Sequence, residues 1–214
     1  LIDRSSVVIG LEVTFLESSR HCEERVLSED LHKVSQLEHL LSLFYANSSV
    51  LGHFEKISVD QCPTVYKSLL AHCSHMTVTV ERHHGEKVNL EVLSETKADS
   101  LYQRKIALRR SSDQRVVQFG IVQLDLNCLT SVARTQVLDG TTPLGRVLIQ
   151  NQILTEVQLC DLWKVHCGPE LTQIFQVKSD AVTYGRSARL LMDDKQGIEL
   201  LEIVAPEPAL ADKT

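Results

Sequence analysis

Three stretches of this 214-residue chain carry residue types suited to holding or processing a small anion. In Leu101 to Arg109, strand alternation places Tyr102, Arg104, Ile106 and Leu108 on one face and Leu101, Gln103, Lys105 and Ala107 on the other. Arg104 thus falls on an apolar side. An arginine keeps its charge, so a buried one needs an internal carboxylate or an anionic ligand; a structural ion pair is the plainer alternative. In the final strand, Ile198, Leu200, Glu202 and Val204 share one face, and Glu199, Leu201 and Ile203 the other. Each face carries one acid, and alternation alone does not choose between them. A glutamate in an apolar site could grip a substrate hydroxyl or act as a base; equally, one acid could be exposed while the other neutralises an arginine. The third stretch, Asp139-Gly-Thr-Thr-Pro-Leu-Gly-Arg-Val-Leu, reads as a tight turn into a short helix, whose first N–H groups could take a carboxylate. It is not a phosphate-cradling loop, because Arg146 and Val147 stand where Lys and Ser or Thr would follow Gly145. No nucleophile elbow and no H-E-x-x-H motif occurs.

The elements that must position these residues follow from hydrophobic period. Ser28 to Phe44 opens with a Ser and an acidic first turn and spaces Leu31, Val34, Leu37, Leu41 and Phe44 as one helix face. Pro63 to Cys73 predicts a second, shorter helix. From Met76 the period reads as two, with Met76, Val78 and Val80 on one side of a strand. A turn at His83-His84-Gly85-Glu86 then leads into a strand over Lys87 to Leu93. Strands over Leu101 to Arg109 and Arg115 to Leu126 continue an antiparallel meander. Short helices fit Thr130 to Leu138 and Pro143 to Gln150, the region around Trp163 has no clear assignment, and strands over Thr183 to Met192 and Gly197 to Ala205 flank a turn at Asp193-Asp-Lys-Gln. The class expected is α+β with an antiparallel sheet, in a single domain over residues 1–214, with a polar, frayed tail beyond 206.

Composition excludes several function classes. A net charge of -6 with scattered lysines and arginines offers no footprint for nucleic acid, and no apolar run approaches the length of a membrane span. The start of the chain lacks the order of a signal peptide, so a cytoplasmic protein, and a monomer, is expected. The six cysteines include no C-x-x-C and are expected to be reduced thiols. His72, His75, His83 and His84 invite a metal reading, but a zinc site needs three or four ligands at workable spacing, usually with a thiolate or carboxylate, and solvated or turn histidines are the expectation; no metal is expected.

Four segments, in order, resemble the chorismate pyruvate-lyases, which make 4-hydroxybenzoate. They are Ser74-His-Met-Thr, Tyr102-Gln-Arg-Lys-Ile-Ala-Leu, Thr141-Thr-Pro-Leu-Gly-Arg-Val-Leu, and Tyr184-Gly-Arg-Ser-Ala-Arg-Leu followed by Ile198-Glu-Leu-Leu-Glu-Ile-Val-Ala-Pro. Together they span most of residues 70–206. The resemblance implies an antiparallel sheet of about six strands with helices covering an internal ligand pocket. It also implies elimination of pyruvate from chorismate without cofactor. By position, Arg104 resembles the arginine that holds the ring carboxylate and Glu202 the glutamate near the 4-hydroxyl, which favours Glu202 over Glu199; these two are the expected catalytic residues. Met76 and Leu144 resemble backbone positions lining the site, and Arg186, with Tyr184, a family strand whose arginine serves structure first and ligand second. Aromatisation of the ring drives such a reaction, so the protein mainly orients and desolvates its substrate. The segment from Val157 to Asp180 is longer than in the compact ubiquinone-pathway enzymes, and residues 1–25 have no counterpart.

The rival class is a non-catalytic binding module, because effector-sensing domains of winged-helix regulators share this fold and fold alone does not decide function. The combination of Arg104, the Thr-Pro-Leu-Gly-Arg turn and Glu202 favours the enzyme, as does the lack of a basic helix-turn-helix pattern ahead of residue 60.

Overall fold

The computed structural model describes residues 35–192 and 195–207. The segments 1–34 and 208–214 lie outside it, and with them the unassigned first 25 residues, the front of the first predicted helix and most of the tail.

Seven strands form one antiparallel sheet, among the described residues, in the order β1-β5-β6-β7-β4-β3-β2. They are β1 (Gly52–Ile57), β2 (Val88–Ala98), β3 (Leu101–Arg110), β4 (Val116–Asp125), β5 (Glu156–Cys167), β6 (Val182–Met192) and β7 (Lys195–Val204). Six helices accompany them: α1 (Gln36–Ser42), α2 (Thr64–Leu70), α3 (Met76–His84), α4 (Ser131–Leu138), α5 (Leu144–Gln150) and α6 (Pro169–Phe175). The α+β class and the antiparallel sheet over a covered pocket agree with expectation, with seven strands in place of about six. No helix of the described residues is long and apolar enough to cross a membrane.

Local chemistry explains most boundaries. Ser35 and Glu38 form a reciprocal capping box that starts α1. Thr130 accepts from the Ala133 N–H to cap α4, and Gly85, at φ 68°, ends α3 in the left-handed conformation. The long β4, β6 and β7 are buried on both faces, as their near-continuous Val, Ile and Leu content requires.

The reading of residues 76–86 needs correction, and two strands fall where none is assigned from sequence. Met76 to Glu81 is not a strand but the front of α3. Its β-branched run favours a strand by propensity, yet Met76 and Val80 also lie one helical turn apart, and burying that stripe beneath the sheet's helical cover overrides propensity. The turn at Gly85 therefore joins a helix to β2 rather than two strands. The unassigned region around Trp163 is β5, the longest strand of the sheet, followed by α6. The edge strand β1, in a stretch with no assignment from sequence, pairs with β5 from Gly52 opposite Cys167 to Ile57 opposite Leu162. Of the predicted turn at 193–196, residues 193 and 194 lie outside the described set, while Met192 pairs with Lys195 across β6 and β7.

The sheet divides the core. On one face, α1 and α6 cover Phe119, Ile121, Leu201 and Ile203 together with Leu40 and Leu171. On the other, α2 to α5 cover two clusters, one around Tyr102, Val122, Leu148 and Leu190 and one around Met76, Val80, Ile106 and Leu108. A bulge opposite Leu108 and Arg109, with Val117 as the extra residue of β4, turns both Val117 and Gln118 toward the α2–α5 side, while Val116 packs under α1 and α6. Cys62, Cys128, Cys160 and Cys167 form no disulfide, and burial raises Cys62, Cys160 and Cys167 to about 11, which disfavours their thiolates. Cys73 is disulfide-bonded, contrary to the expectation of reduced thiols throughout, and none of those four is its partner.

Candidate functional site

A cavity of about 50 Å³ lies between the two clusters of the helix-covered face. Alternation on four neighbouring strands builds its floor. β3 supplies Arg104 and Ile106, β4 Gln118, Gly120 and Val122, β7 Leu200 and Glu202, and β6 Arg186 and Leu190. The starts of α3 (His75, Met76, Thr77) and α5 (Pro143, Leu144, Gly145) form its roof. Met76, Arg104, Leu144, Arg186 and Glu202, the residues expected from sequence, all line this one cavity. Glu199 faces the other way, where it meets Arg189 at 3.5 Å and His39 at 3.7 Å. The roof is tight: a Cβ on Gly145 would stand 3.1 Å from Thr77 Oγ1 and 3.2 Å from His75 Cβ. An ion pair between Arg146 and Glu81 ties α5 to α3 beside it.

The two arginines are both 1% exposed and differ in what surrounds them. Arg186 is saturated. Its Nε donates to Glu202 Oε2 at 2.8 Å, Nη1 to the carbonyls of His72 (2.8 Å) and Leu70 (3.4 Å), and Nη2 to the Ser74 carbonyl at 3.1 Å. It therefore fixes Glu202 and the α2–α3 loop in one arrangement. His72 joins this network: its Nε2 lies 2.7 Å from the Leu69 carbonyl, so that nitrogen carries the proton. Nδ1 then accepts from the Ser74 N–H at 3.1 Å and lies 3.3 Å from Arg186 Nη1. Burial first, and then the Arg186 charge, push His72 down to about 4. His75, whose Nε2 is 3.1 Å from Thr155 Oγ1, is also lowered by burial and by Arg186. Both rings are neutral at neutral pH.

Arg104 is almost bare. Nη1 donates to the Val137 carbonyl at 3.2 Å, the Tyr102 ring centroid lies 5.8 Å from the guanidinium carbon, and Nε is buried with no hydrogen-bond partner. Burial lowers its pKa, opposed by Tyr102 and by Glu95, to which Tyr102 donates a short hydrogen bond. No ion pair joins Arg104 to any carboxylate among the described residues, whereas Glu202 is spent on Arg186.

Sequence reasoning passed over Gln118, His75 and Thr77. Gln118 had a signal: it is the one amide in the apolar run Val116-Val-Gln-Phe-Gly-Ile-Val. His75 and Thr77 stand in the resembling segment Ser74-His-Met-Thr, of which only Met76 is assigned to the site by sequence. Among the described residues, no group of three or more His, Cys, Asp or Glu gathers in a metal-binding arrangement.

No protein-family model and no curated protein matches the chain. Similar solved structures include PhnF from Mycobacterium smegmatis at 10% identity and a TM-score of 0.47, covering 62% of this chain and 64% of that one. This chain thus spans less than two thirds of that protein. The effector domain of the same PhnF has the same score and identity, with 88% of it covered. The C-terminal domain of the histidine utilization repressor from Pseudomonas syringae pv. tomato str. DC3000 is 9% identical, with a TM-score of 0.42, 56% of this chain and 92% of that one.

Proposed function

We propose that this chain binds a small aromatic carboxylic acid in the cavity, with Arg104 taking the carboxylate. The observation that carries this reading is the buried guanidinium with an unpartnered Nε and no carboxylate of its own. Desolvating a charge without compensation is costly, and an anionic ligand supplies what the fold withholds. The apolar walls, Ile106, Val122, Leu144, Leu190 and Leu200, suit a ring. The ion pair of Glu202 with Arg186 favours binding over proton abstraction, since Oε2 accepts from Arg186 Nε and Oε1 from Gln118.

A second reading, chorismate lyase activity, rests on the convergence of Arg104, Glu202, Met76 and Leu144 on one cavity. In that reading the protein orients chorismate and excludes water. The C3–O ether bond breaks as the C4 proton is lost, which leaves 4-hydroxybenzoate, the departing enolpyruvate takes up a proton at its methylene carbon to become pyruvate, and Glu202 positions the ring oxygen rather than acting as a free base.

One experiment separates the readings. Purified protein is titrated with 4-hydroxybenzoate in a calorimeter and incubated with chorismate while pyruvate is followed. Binding without pyruvate release supports the binding module, and release supports the lyase. Arg104→Met should weaken 4-hydroxybenzoate binding by about 2–5 kcal/mol, the range for truncating one partner of a buried charge pair. Unchanged affinity in that variant removes Arg104 from the site.

A further inference from the structure

Gln118 is 3% exposed, lines the cavity, and holds a buried Oε1 with no hydrogen-bond partner. Its amide orientation is fixed by its neighbour. Nε2 donates to Glu202 Oε1 at 3.4 Å, and turning the amide over would set two acceptors against each other. The unsatisfied group is therefore an acceptor. A buried acceptor left empty is unfavourable, and such groups in native proteins find a donor.

Its position is as informative as its chemistry. On β4, Gln118 pairs with Val204, Gly120 with Glu202, and Val122 lies opposite Arg104. Gln118 and Val122 share a face four residues apart, about 13 Å along the strand. The cavity thus has a cationic donor end at Arg104 and an acceptor end at Gln118, with Ile106, Gly120 and Val122 between them and the Arg186–Glu202 pair on the strands beside Gly120.

We propose that Gln118 is a specificity-determining residue: its Oε1 selects acids that carry a hydrogen-bond donor, a hydroxyl or an amine, at the end opposite the carboxylate. This rests on reading the cavity as an anion site at Arg104. A ligand of matching size without that donor leaves Oε1 unsatisfied and is discriminated against, in the way that a site built to bond a hydroxyl rejects its deoxy analogue.

The test uses the whole chain and two probes of similar size, 4-hydroxybenzoate and 4-fluorobenzoate, titrated by calorimetry. The wild-type protein should bind the hydroxy acid at least about tenfold more tightly. Gln118→Leu, with its thermal transition checked against wild type, should abolish that preference while still binding the fluoro acid. Equal binding of both acids by the wild type overturns the role of Gln118 and leaves the anion site standing, and this outcome needs no variant. A preference retained in Gln118→Leu assigns the selection to Glu202 instead and also overturns it. Failure of both acids to bind the wild type overturns the anion site and this inference with it.

Discussion

The two faces of the sheet solve the burial problem differently. The face under α1 and α6 is packed with hydrocarbon, Phe119, Ile121, Leu201 and Ile203 each at 0% exposure. The face under α2 to α5 buries Arg104, Arg186, Gln118 and Glu202 among similar apolar neighbours. On the first face the ion pair of Lys105 with Glu170 is only partly buried, whereas on the second the charges are buried, and there Arg186 and Arg104 divide the work. One is bonded into the structure at every nitrogen, and the other keeps a buried Nε with no partner.

The largest expected effect tests that division. Arg186→Met should cost about 3–5 kcal/mol in urea denaturation, because it strands the buried Glu202 carboxylate. Arg104→Met should leave stability unchanged or raise it, since it removes a buried charge that the fold does not pair. Similar losses in both variants would erase the distinction between the two arginines.

A pH series sharpens it next. The folded protein holds His72 neutral down to about 4, against an ordinary 6.5, so below pH 6.5 the unfolded chain binds a proton that the folded one refuses. Stability should be complete above pH 6.5 and fall by about 3 kcal/mol as the pH drops through that window to 4. Denaturation of wild type and His72→Gln at pH 7, 5 and 4 isolates this share. Parallel losses in the two proteins would show that His72 does not carry it.

The smallest effect belongs to the roof. Gly145→Ala sets a Cβ 3.1 Å from Thr77 Oγ1, and α5 must give way by a few tenths of an ångström, at about 1 kcal/mol in thermal or chemical unfolding. A neutral or stabilising result would mean that α5 already moves freely over α3.

Much of this was legible from the chain. Alternation alone put Arg104 on an apolar face, and the burial of Tyr102, Ile106 and Leu108 agrees with that reading. The choice between Glu199 and Glu202 was not legible from alternation, since β7 is apolar on both faces, and only the family resemblance favoured Glu202. Met76 to Glu81 shows where local pattern fails: a β-branched run satisfies both periods at once, and the tertiary cover decides. β5 escaped assignment because its charged and polar residues, Asp161, Lys164 and His166, alternate with buried Leu162, Val165 and Cys167 across a bulge after Leu159 that breaks the period. The contrast between the two arginines was invisible in sequence, because the carbonyls of Leu70, His72 and Ser74 that satisfy Arg186 come from a loop more than 100 residues away.

The closeness of α5 to α3 also governs time. A cavity of about 50 Å³ is well below the ~150 Å³ that accommodates a benzene ring, so an aromatic ligand would need α3 and α5 to move apart. Association would then saturate with ligand concentration at the rate of that movement, below diffusion control, and dissociation would be slowed by the same step. A molecule bound there would leave on the schedule of the helices above it.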